Sequence, residues 1–248
     1  MDLWHYLLLT LCGAVAGFVD AIAGGGGLLT MPALLLAGLP EQTALGTNKM
    51  QACCGTALAV RNYARGGLIQ WKDVRLGVMW TLVFAALGAW TVTMVSTDFL
   101  RRIIPWLLLG IAAYTLLAPR MGSEKRAALM GAGSFALLGG AVLGFYDGFF
   151  GPGTGSFWTV GFVLLLGHEL RQATAHTKVM NLTSNLASLA VFAAAGHVRA
   201  DVALPMIAGQ LAGAHIGSHT VLKNGPAIIR PVLLATVLLM AGKLLWEA

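Results

Sequence analysis

Four ionisable side chains lie within apolar segments, in two pairs that recur along the chain. Asp20 and Asp147 each lie four residues before a glycine cluster, and Lys49 and Lys178 begin later apolar segments. A charge at the centre of a membrane-spanning helix costs at least about 2.5–3.5 kcal/mol. Two interpretations remain open. Each half of the chain could hold an Asp–Lys ion pair that only fixes the fold, or the lysines could supply positive charge for an anion in a central cavity.

The glycine clusters are expected to interrupt helices. Glycines 24–27 and the run Gly151-Pro152-Gly153-Thr154-Gly155 propagate a helix poorly, because Gly costs about 1 kcal/mol and Pro about 3 kcal/mol relative to Ala. Unwound backbone at membrane depth requires protein or a water-filled cavity around it. The N–H groups of the short helix after each break would favour an anion. Close helix packing is the competing explanation. In the anion interpretation, an alanine at Gly26 or Gly153 should favour helix and crowd the anion.

A polar stripe follows the second lysine. Between His176 and Ser188, most polar side chains share one side of a predicted helix through spacings of three, four and seven residues. Interhelical hydrogen bonding and a substrate path both explain such a stripe. In the second interpretation Asn48, Thr177 and Asn181 orient an anion. Asp20, Asp147 or His176 then carry a coupled proton, since histidine titrates near neutrality.

The composition places the chain in a membrane. Of its 248 residues, 57% are hydrophobic and only 10% are charged, whereas soluble domains are about 25% charged. The basic residues lie in short connections between apolar segments, so the net charge of +6 indicates membrane topology rather than nucleic-acid binding. Catalytic signatures are missing from the sequence, and we therefore expect no enzyme activity or cofactor. His215 and His219 have a spacing that could hold a metal, but no carboxylate or thiol lies nearby in sequence, so no metal is expected.

Apolar segments predict an all-α polytopic membrane protein with about eight transmembrane helices. The segments are 3–23, 43–62, 74–96, 99–118, 127–150, 172–195, 202–222 and 226–246. Two pieces, 28–38 and 157–167, are too short to cross alone and are expected to be re-entrant or half helices. We divide the chain into a first transmembrane repeat at 1–119, a basic cytoplasmic linker at 120–126 and a second repeat at 127–248.

The division rests on internal similarity. Gly17-Phe18-Val19-Asp20 matches Gly144-Phe145-Tyr146-Asp147 at an offset of 127, and Thr47-Asn48-Lys49 falls on His176-Thr177-Lys178 at an offset of 129. Tandem repeats of this kind are typical of secondary transporters. If the short pieces count as crossings the repeats are inverted, and if they re-enter the repeats are parallel. Basic loops at 61–75 and 120–126 are expected in the cytoplasm. Inverted repeats would also place Arg171, Lys223 and Arg230 there, whereas parallel repeats would place them outside, so the charges favour inversion.

The glycine breaks and the segments around Lys49 and Lys178 resemble the TauE/SafE sulfite-exporter family of bacterial inner-membrane proteins. The resemblance covers nearly the whole chain. It implies a multi-pass permease of about eight spans in the bacterial inner membrane. Its implied substrates are sulfite, sulfonates or related small organosulfur anions.

Together these observations predict a secondary transporter for a small anion. The expected binding residues are Gly24, Gly25, Gly26, Gly27, Asn48, Lys49, Gly151, Gly153, Thr154, Gly155, Thr177, Lys178 and Asn181. One alternative is an anion channel. The other is a non-transporting membrane protein that assembles partners or relays sulfur through Cys53 and Cys54. Neither the anion, the direction of movement, the coupling ion nor the oligomeric state follows from the sequence.

Overall fold

A computed structural model describes residues 3–117, 127–225 and 227–228, and this part of the chain is helical. The helices are α1 (Leu3–Ala23), α2 (Gly26–Leu36), α3 (Glu41–Arg65), α4 (Trp71–Thr93), α5 (Thr97–Leu117), α6 (Ala132–Phe149), α7 (Thr154–Leu164), α8 (Leu170–Ala194) and α9 (Ala200–Asn224). A π-helical turn, Gly140–Gly144, lies inside α6 just before Asp147.

Seven of the eight predicted spans coincide with long helices. By length and composition, three described helices are apolar enough to cross a membrane: Trp4–Ala23, Trp71–Thr93 and Ala132–Phe149. The other long helices carry more polar residues, so the full number of spans stays a prediction. The linker at 120–126 and the eighth span at 226–246, apart from residues 227 and 228, lie outside the described residues.

Each short helix folds back along the long helix that precedes it. A Cβ on Gly26, at the start of α2, would lie 2.7 Å from the Cβ of Asp20, and the far end of α2 shares a surface cavity with the beginning of α1. In the second half, Gly139 on α6 faces Trp158 on α7 in the same way. The short apolar pieces are therefore half helices that return toward the end where their long partner began.

Helices α3 and α8, each 25 residues long, run antiparallel to one another. Gly46, near the start of α3, packs on Phe192 near the end of α8. At the other end, the loop after α3 bonds to the start of α8, where the Gln70 N–H donates to His176. These two helices carry Lys49 and Lys178, so the antiparallel arrangement places the lysines toward opposite ends of the bundle.

The outer helices pack on this central pair through glycine-rich faces. Helix α1 lies along α9, where Gly13 approaches Met206 and Gly17 approaches Gln210, and α6 lies along α4, where Gly144 approaches Thr81. Small residues let helix backbones come close enough for dense van der Waals contact. Helices of one half are therefore partly buried by helices of the other half.

Candidate functional site

The two glycine breaks meet at the centre of the bundle. A Cβ on Gly24 would lie 2.5 Å from the Cα of Gly155, and one on Gly27 would lie 3.2 Å from the Cα of Pro152. Helices α2 and α7 both begin at this contact. The first N–H groups of a helix have no partner within it, so two positive helix ends face one region of the protein.

Lys49 and Asp147 form the first of two buried ion pairs. The Lys49 Nζ lies 2.6 Å from the Asp147 Oδ1 and donates a second hydrogen bond, also of 2.6 Å, to the Asp147 backbone carbonyl. The lysine and aspartate side chains are 2% and 5% exposed. The hydroxyl of Ser184 donates to the other carboxylate oxygen. Both oxygens of Asp147 therefore have a partner.

Lys178 and Asp20 form the second pair. The Lys178 Nζ lies 3.1 Å from the Asp20 Oδ2. Lys178 is fully buried, whereas the Asp20 side chain is 19% exposed. The carboxylate of this pair can thus be reached by water or a small solute more easily than that of Asp147.

The ion pairs correct the sequence-based expectation of an Asp–Lys pair within each half. Asp20 lies on α1 and pairs with Lys178 on α8, while Lys49 on α3 pairs with Asp147 on α6. Each pair crosses between the halves because α3 and α8 run antiparallel and bring each lysine to the opposite break. Sequence distance could not show this, since the pairs are 98 and 158 residues apart.

A small cavity of about 30 Å³ lies against the breaks. Its walls include nine of the predicted binding residues, both aspartates, and two further residues. They are Gly24, Gly27, Asn48, Lys49, Gly151, Gly153, Thr154, Gly155, Asn181, Asp20, Asp147, Ala52 and Asn185. Since a water molecule needs about 10–15 Å³ by such a measure, the cavity holds about two waters.

The remaining predicted site residues lie outside the cavity wall. Gly25 caps α2 and Gly26 packs on α1. Thr177 bonds to Thr159, with their hydroxyl oxygens 3.0 Å apart. Lys178 lies behind Asp20. The third candidate for a coupled proton, His176, accepts a hydrogen bond from the N–H of Gln70, where α4 begins.

The expected effect of alanine at two break glycines needs correction. Gly153 has a φ of +82°, so an alanine there would be strained instead of favouring helix. At Gly26 an added methyl would press on Asp20 rather than on a ligand in the cavity. The glycine spacing had suggested one role for all these positions, whereas the backbone gives each a different one.

Asn181 and Asn185 form the part of the polar stripe that reaches the cavity. The Asn181 Oδ1 is buried and has no hydrogen-bond partner among the described residues. Rotating this amide by 180° would turn its NH₂ group into the same place, so it can serve as a donor to a ligand. Asn185 extends the stripe by one turn. Ala52 carried no signal in the sequence, because a small apolar residue does not mark a cavity wall.

Comparison with known proteins identifies the family of this chain. Residues 9–244 match the family described as "Sulfite exporter TauE/SafE". The chain is 44% identical over 234 residues to "Probable membrane transporter protein YfcA" of Escherichia coli strain K12, an alignment covering 94% of this chain and 87% of that protein. It is 41% identical over 249 residues to a "Probable membrane transporter protein" of Haemophilus influenzae, covering 100% and 98% of the two chains.

A further relative is "Probable membrane transporter protein ORF9" of a Sinorhizobium species. It is 42% identical over 246 residues, which cover 98% of this chain and 94% of that protein. The names of these relatives describe transport and no catalysis, in line with the expectation that this protein is not an enzyme. The apolar helices, the family match and these relatives together show that the chain is a membrane transporter of the TauE/SafE family.

Proposed function

We propose that this protein is a proton-coupled secondary transporter that carries a small oxyanion, with sulfite as the first candidate, across the bacterial inner membrane. The observation that carries the proposal is the Lys49–Asp147 pair beside two helix N-termini and a small cavity. Lysine and helix N-termini are the groups that stabilise an anion. They meet here in a protein of a sulfite-exporter family.

Proton coupling follows from the charge of the cavity wall. Asp20, Asp147 and Lys49 line it, and Lys178 pairs with Asp20 from outside the wall, so two positive charges balance two negative charges. An anion entering this site would add an uncompensated negative charge beside both carboxylates, at a cost that grows with burial. A proton on one aspartate removes a negative charge and releases a lysine to bind the anion. We therefore expect an anion and at least one proton to move together.

The cavity size favours a compact anion. A cavity of about 30 Å³ has room for about two waters, so sulfite, with four heavy atoms, would require only a small expansion. Taurine and sulfoacetate add a carbon chain and a second charged group, so they would require the breaks to separate. The backbone of Gly24 already contacts that of Gly155, and such a separation would disturb the centre of the fold.

The two ion pairs suggest how access alternates. We infer that residues 1–119 and 127–248 are inverted repeats, because α3 and α8 carry equivalent motifs and run antiparallel. Each lysine then controls one side of the protein. Lys49 binds the anion from one side and Lys178 from the other, with Asn48 and Asn181 orienting it, and Thr177 joins the site when the second pair opens.

The decisive experiment is flux into proteoliposomes with sulfite, thiosulfate, sulfate, sulfoacetate and taurine at several pH gradients. We expect saturable sulfite flux that accelerates when the side containing sulfite is made acidic. Asp20→Asn should make the remaining flux insensitive to the gradient, because Asp20 is the more exposed of the two aspartates. Saturable flux of sulfoacetate or taurine but not sulfite would contradict the compact-anion proposal.

The same assay separates the competing functions. An anion channel would give flux that does not saturate and does not respond to the proton gradient. A sulfur-relay protein would depend on its thiols, so Cys53→Ser with Cys54→Ser should leave flux unchanged if the proposal is right. Cys53 is buried and Cys54 partly buried, and Cys12→Ser serves as the matched control.

A further inference from the structure

Two hydrogen bonds at opposite ends of the bundle occupy equivalent positions in the two halves. The Arg199 N–H donates to the Thr47 Oγ1 at 3.0 Å, and the Gln70 N–H donates to the His176 Nε2 at 3.1 Å. Thr47 and His176 differ by the repeat offset of 129, as do Gln70 and Arg199. Gln70 immediately precedes α4 and bonds to α8, whereas Arg199 immediately precedes α9 and bonds to α3. Each bond therefore joins the start of a helix in one half to a helix of the other half.

The two bonds close different sides of the protein. Thr47 lies near the start of α3, and Gln70 follows the end of that helix. Eighteen residues of helix between Thr47 and Arg65 span about 27 Å. Each acceptor lies two residues before a lysine of an ion pair, Thr47 before Lys49 and His176 before Lys178. We call these bonds the Thr47 latch and the His176 latch.

The surroundings of the two latches differ in one respect that matters chemically. Thr47 has a hydroxyl that does not titrate near neutral pH, whereas His176 is an imidazole. Three side chains meet here: Asp73 on α4, His168 in the α7–α8 connection and His176. One oxygen or ring nitrogen from each lies within 4.8 Å of those of the other two. Lys178, two residues after His176 on α8, is paired with Asp20. A cavity of about 260 Å³ lined by Gln70, Asp73 and His168 adjoins the latch.

The hydrogen bond fixes the protonation of His176 in this state. A neutral imidazole has one lone pair, and here Nε2 uses it to accept the Gln70 N–H. The hydrogen therefore lies on Nδ1, which leaves no lone pair for a metal ion. His176 is fully buried. A second proton on the ring would remove the acceptor and place a positive charge in a buried site beside the Asp73 carboxylate.

We propose that His176 is a proton-operated gate on one side of the transport path. Neutral His176 holds α4 to α8 by accepting the Gln70 N–H. Protonated His176 has no lone pair to accept that N–H, and its buried charge requires water around it, so the start of α4 shifts away from α8. The Thr47 latch on the other side lacks this response. This inference rests on the proposed transport function, but it concerns access to the site and not the anion.

The sign of the pH dependence follows from linkage. The open state binds one more proton than the closed state, so acid favours opening. One extra proton changes the ratio of open to closed protein by up to about tenfold per pH unit. The change should begin as the pH falls below about 6.5, the usual value for an exposed imidazole, and continue at lower pH.

The test is chemical access to the cavity in the absence of substrate. In a variant with Cys12, Cys53 and Cys54 replaced by alanine, Ala52→Cys places a thiol in the cavity wall. A membrane-impermeant thiol reagent is applied to right-side-out and inside-out vesicles between pH 7.5 and 5.5. We expect labelling from the His176 side to rise several-fold as the pH falls, after correction for thiolate content with a surface cysteine. Labelling from the Thr47 side should not rise.

The matched variant is His176→Thr, which copies the Thr47 latch. It should keep the protein closed at all pH values and abolish the acid-induced labelling. His176→Gln, which can also accept through its side-chain oxygen, gives the same test if threonine impairs folding. Acid-induced labelling that persists in either folded variant, or that is missing from the parent protein, would overturn the proposal. Flux measurements remain independent of this result, because the labelling needs no anion.

Discussion

The two ion pairs have the same topology but different surroundings. Asp147 accepts from Lys49 and from Ser184, and its side chain is 5% exposed, whereas Asp20 pairs with Lys178 at a longer distance and is 19% exposed. The position equivalent to Ser184 in the first half is Gly55, which faces Gln210. Ser184 therefore gives Asp147 a hydrogen bond that the equivalent position of the first half cannot supply to Asp20.

This comparison shows how two halves of similar sequence can hold their ion pairs with different strength. The antiparallel helices fix which lysine meets which aspartate, and the local residues decide how firmly the pair is held. In the proposed cycle, Asp20 exchanges its proton with the cavity more readily, and Asp147 holds Lys49 until an anion replaces it. The following predictions test the difference between the pairs.

The largest effect is expected from removing Lys49. Lys49→Met leaves the Asp147 carboxylate buried without its cation, a change that costs about 3–5 kcal/mol, and sulfite flux should be lost. Lys178→Met should also stop flux but destabilise less, because Asp20 is already partly exposed. Thermal unfolding of the purified variants measures the difference, with Lys223→Met at the exposed end of α9 as the control.

A double variant separates a structural pair from a functional one. Lys49→Met combined with Asp147→Asn removes both charges and should recover most of the lost stability, since replacing both partners of a buried pair is often neutral. We expect flux to stay absent. Recovery of flux together with stability would show that this pair only holds the fold.

Ser184→Ala should weaken the Lys49–Asp147 pair, so that it resembles the Lys178–Asp20 pair. The alanine removes a hydrogen bond to a buried carboxylate, worth about 1.5–3 kcal/mol. Ser188→Ala is the matched control, because among the described residues that hydroxyl bonds only to the Ser184 backbone carbonyl. If both variants melt alike, the hydroxyl does not explain the difference between the ion pairs.

Gly151→Ala should disturb Lys49 more than it disturbs the fold. Gly151 has a φ of +97°, and an added Cβ would lie 2.8 Å from the Lys49 Nζ. The left-handed backbone costs an alanine about 1–2 kcal/mol. Gly196→Ala has a similar φ of +76° with open space around it, so it should lose comparable stability but retain flux. Equal flux in the two variants would argue against a role for Lys49 at the cavity.

The smallest effects are expected at two equivalent threonines. Thr30 bonds to the Gly26 carbonyl and to Asn48, and Thr159 bonds to the Gly155 carbonyl and to Thr177. Replacing either with valine should cost about 0.5–1.5 kcal/mol. Since Asn48 lines the cavity and Thr177 does not, only Thr30→Val should raise the sulfite concentration that gives half-maximal flux.

Much of the candidate site was readable from the sequence. Charged residues in apolar segments are costly enough to mark a site by themselves, so Asp20, Lys49, Asp147 and Lys178 were identified from type and position. The glycine breaks were readable for a similar reason, because helix propensity is a local property. Asn181 was found through its spacing on one helix face.

The sequence did not reveal which lysine pairs with which aspartate. Helical periodicity is local, whereas the crossing of α3 and α8 depends on packing between helices far apart in sequence. The sequence does not mark the two latches, because their donors are backbone N–H groups, which every residue except proline carries. Asn185 was assigned to the stripe but not to the cavity, since a helix face says nothing about what lies opposite.

Composition and periodicity thus determined a helical membrane protein and the residues that do not belong in lipid, and internal similarity predicted two repeats. Tertiary structure decided that each aspartate pairs with the lysine of the other half and that the two breaks touch. It also placed a histidine at one end of the bundle where a threonine stands at the other. The physical reason is that burial and charge are properties of single residues, while pairing depends on helix direction, which only the packed bundle fixes.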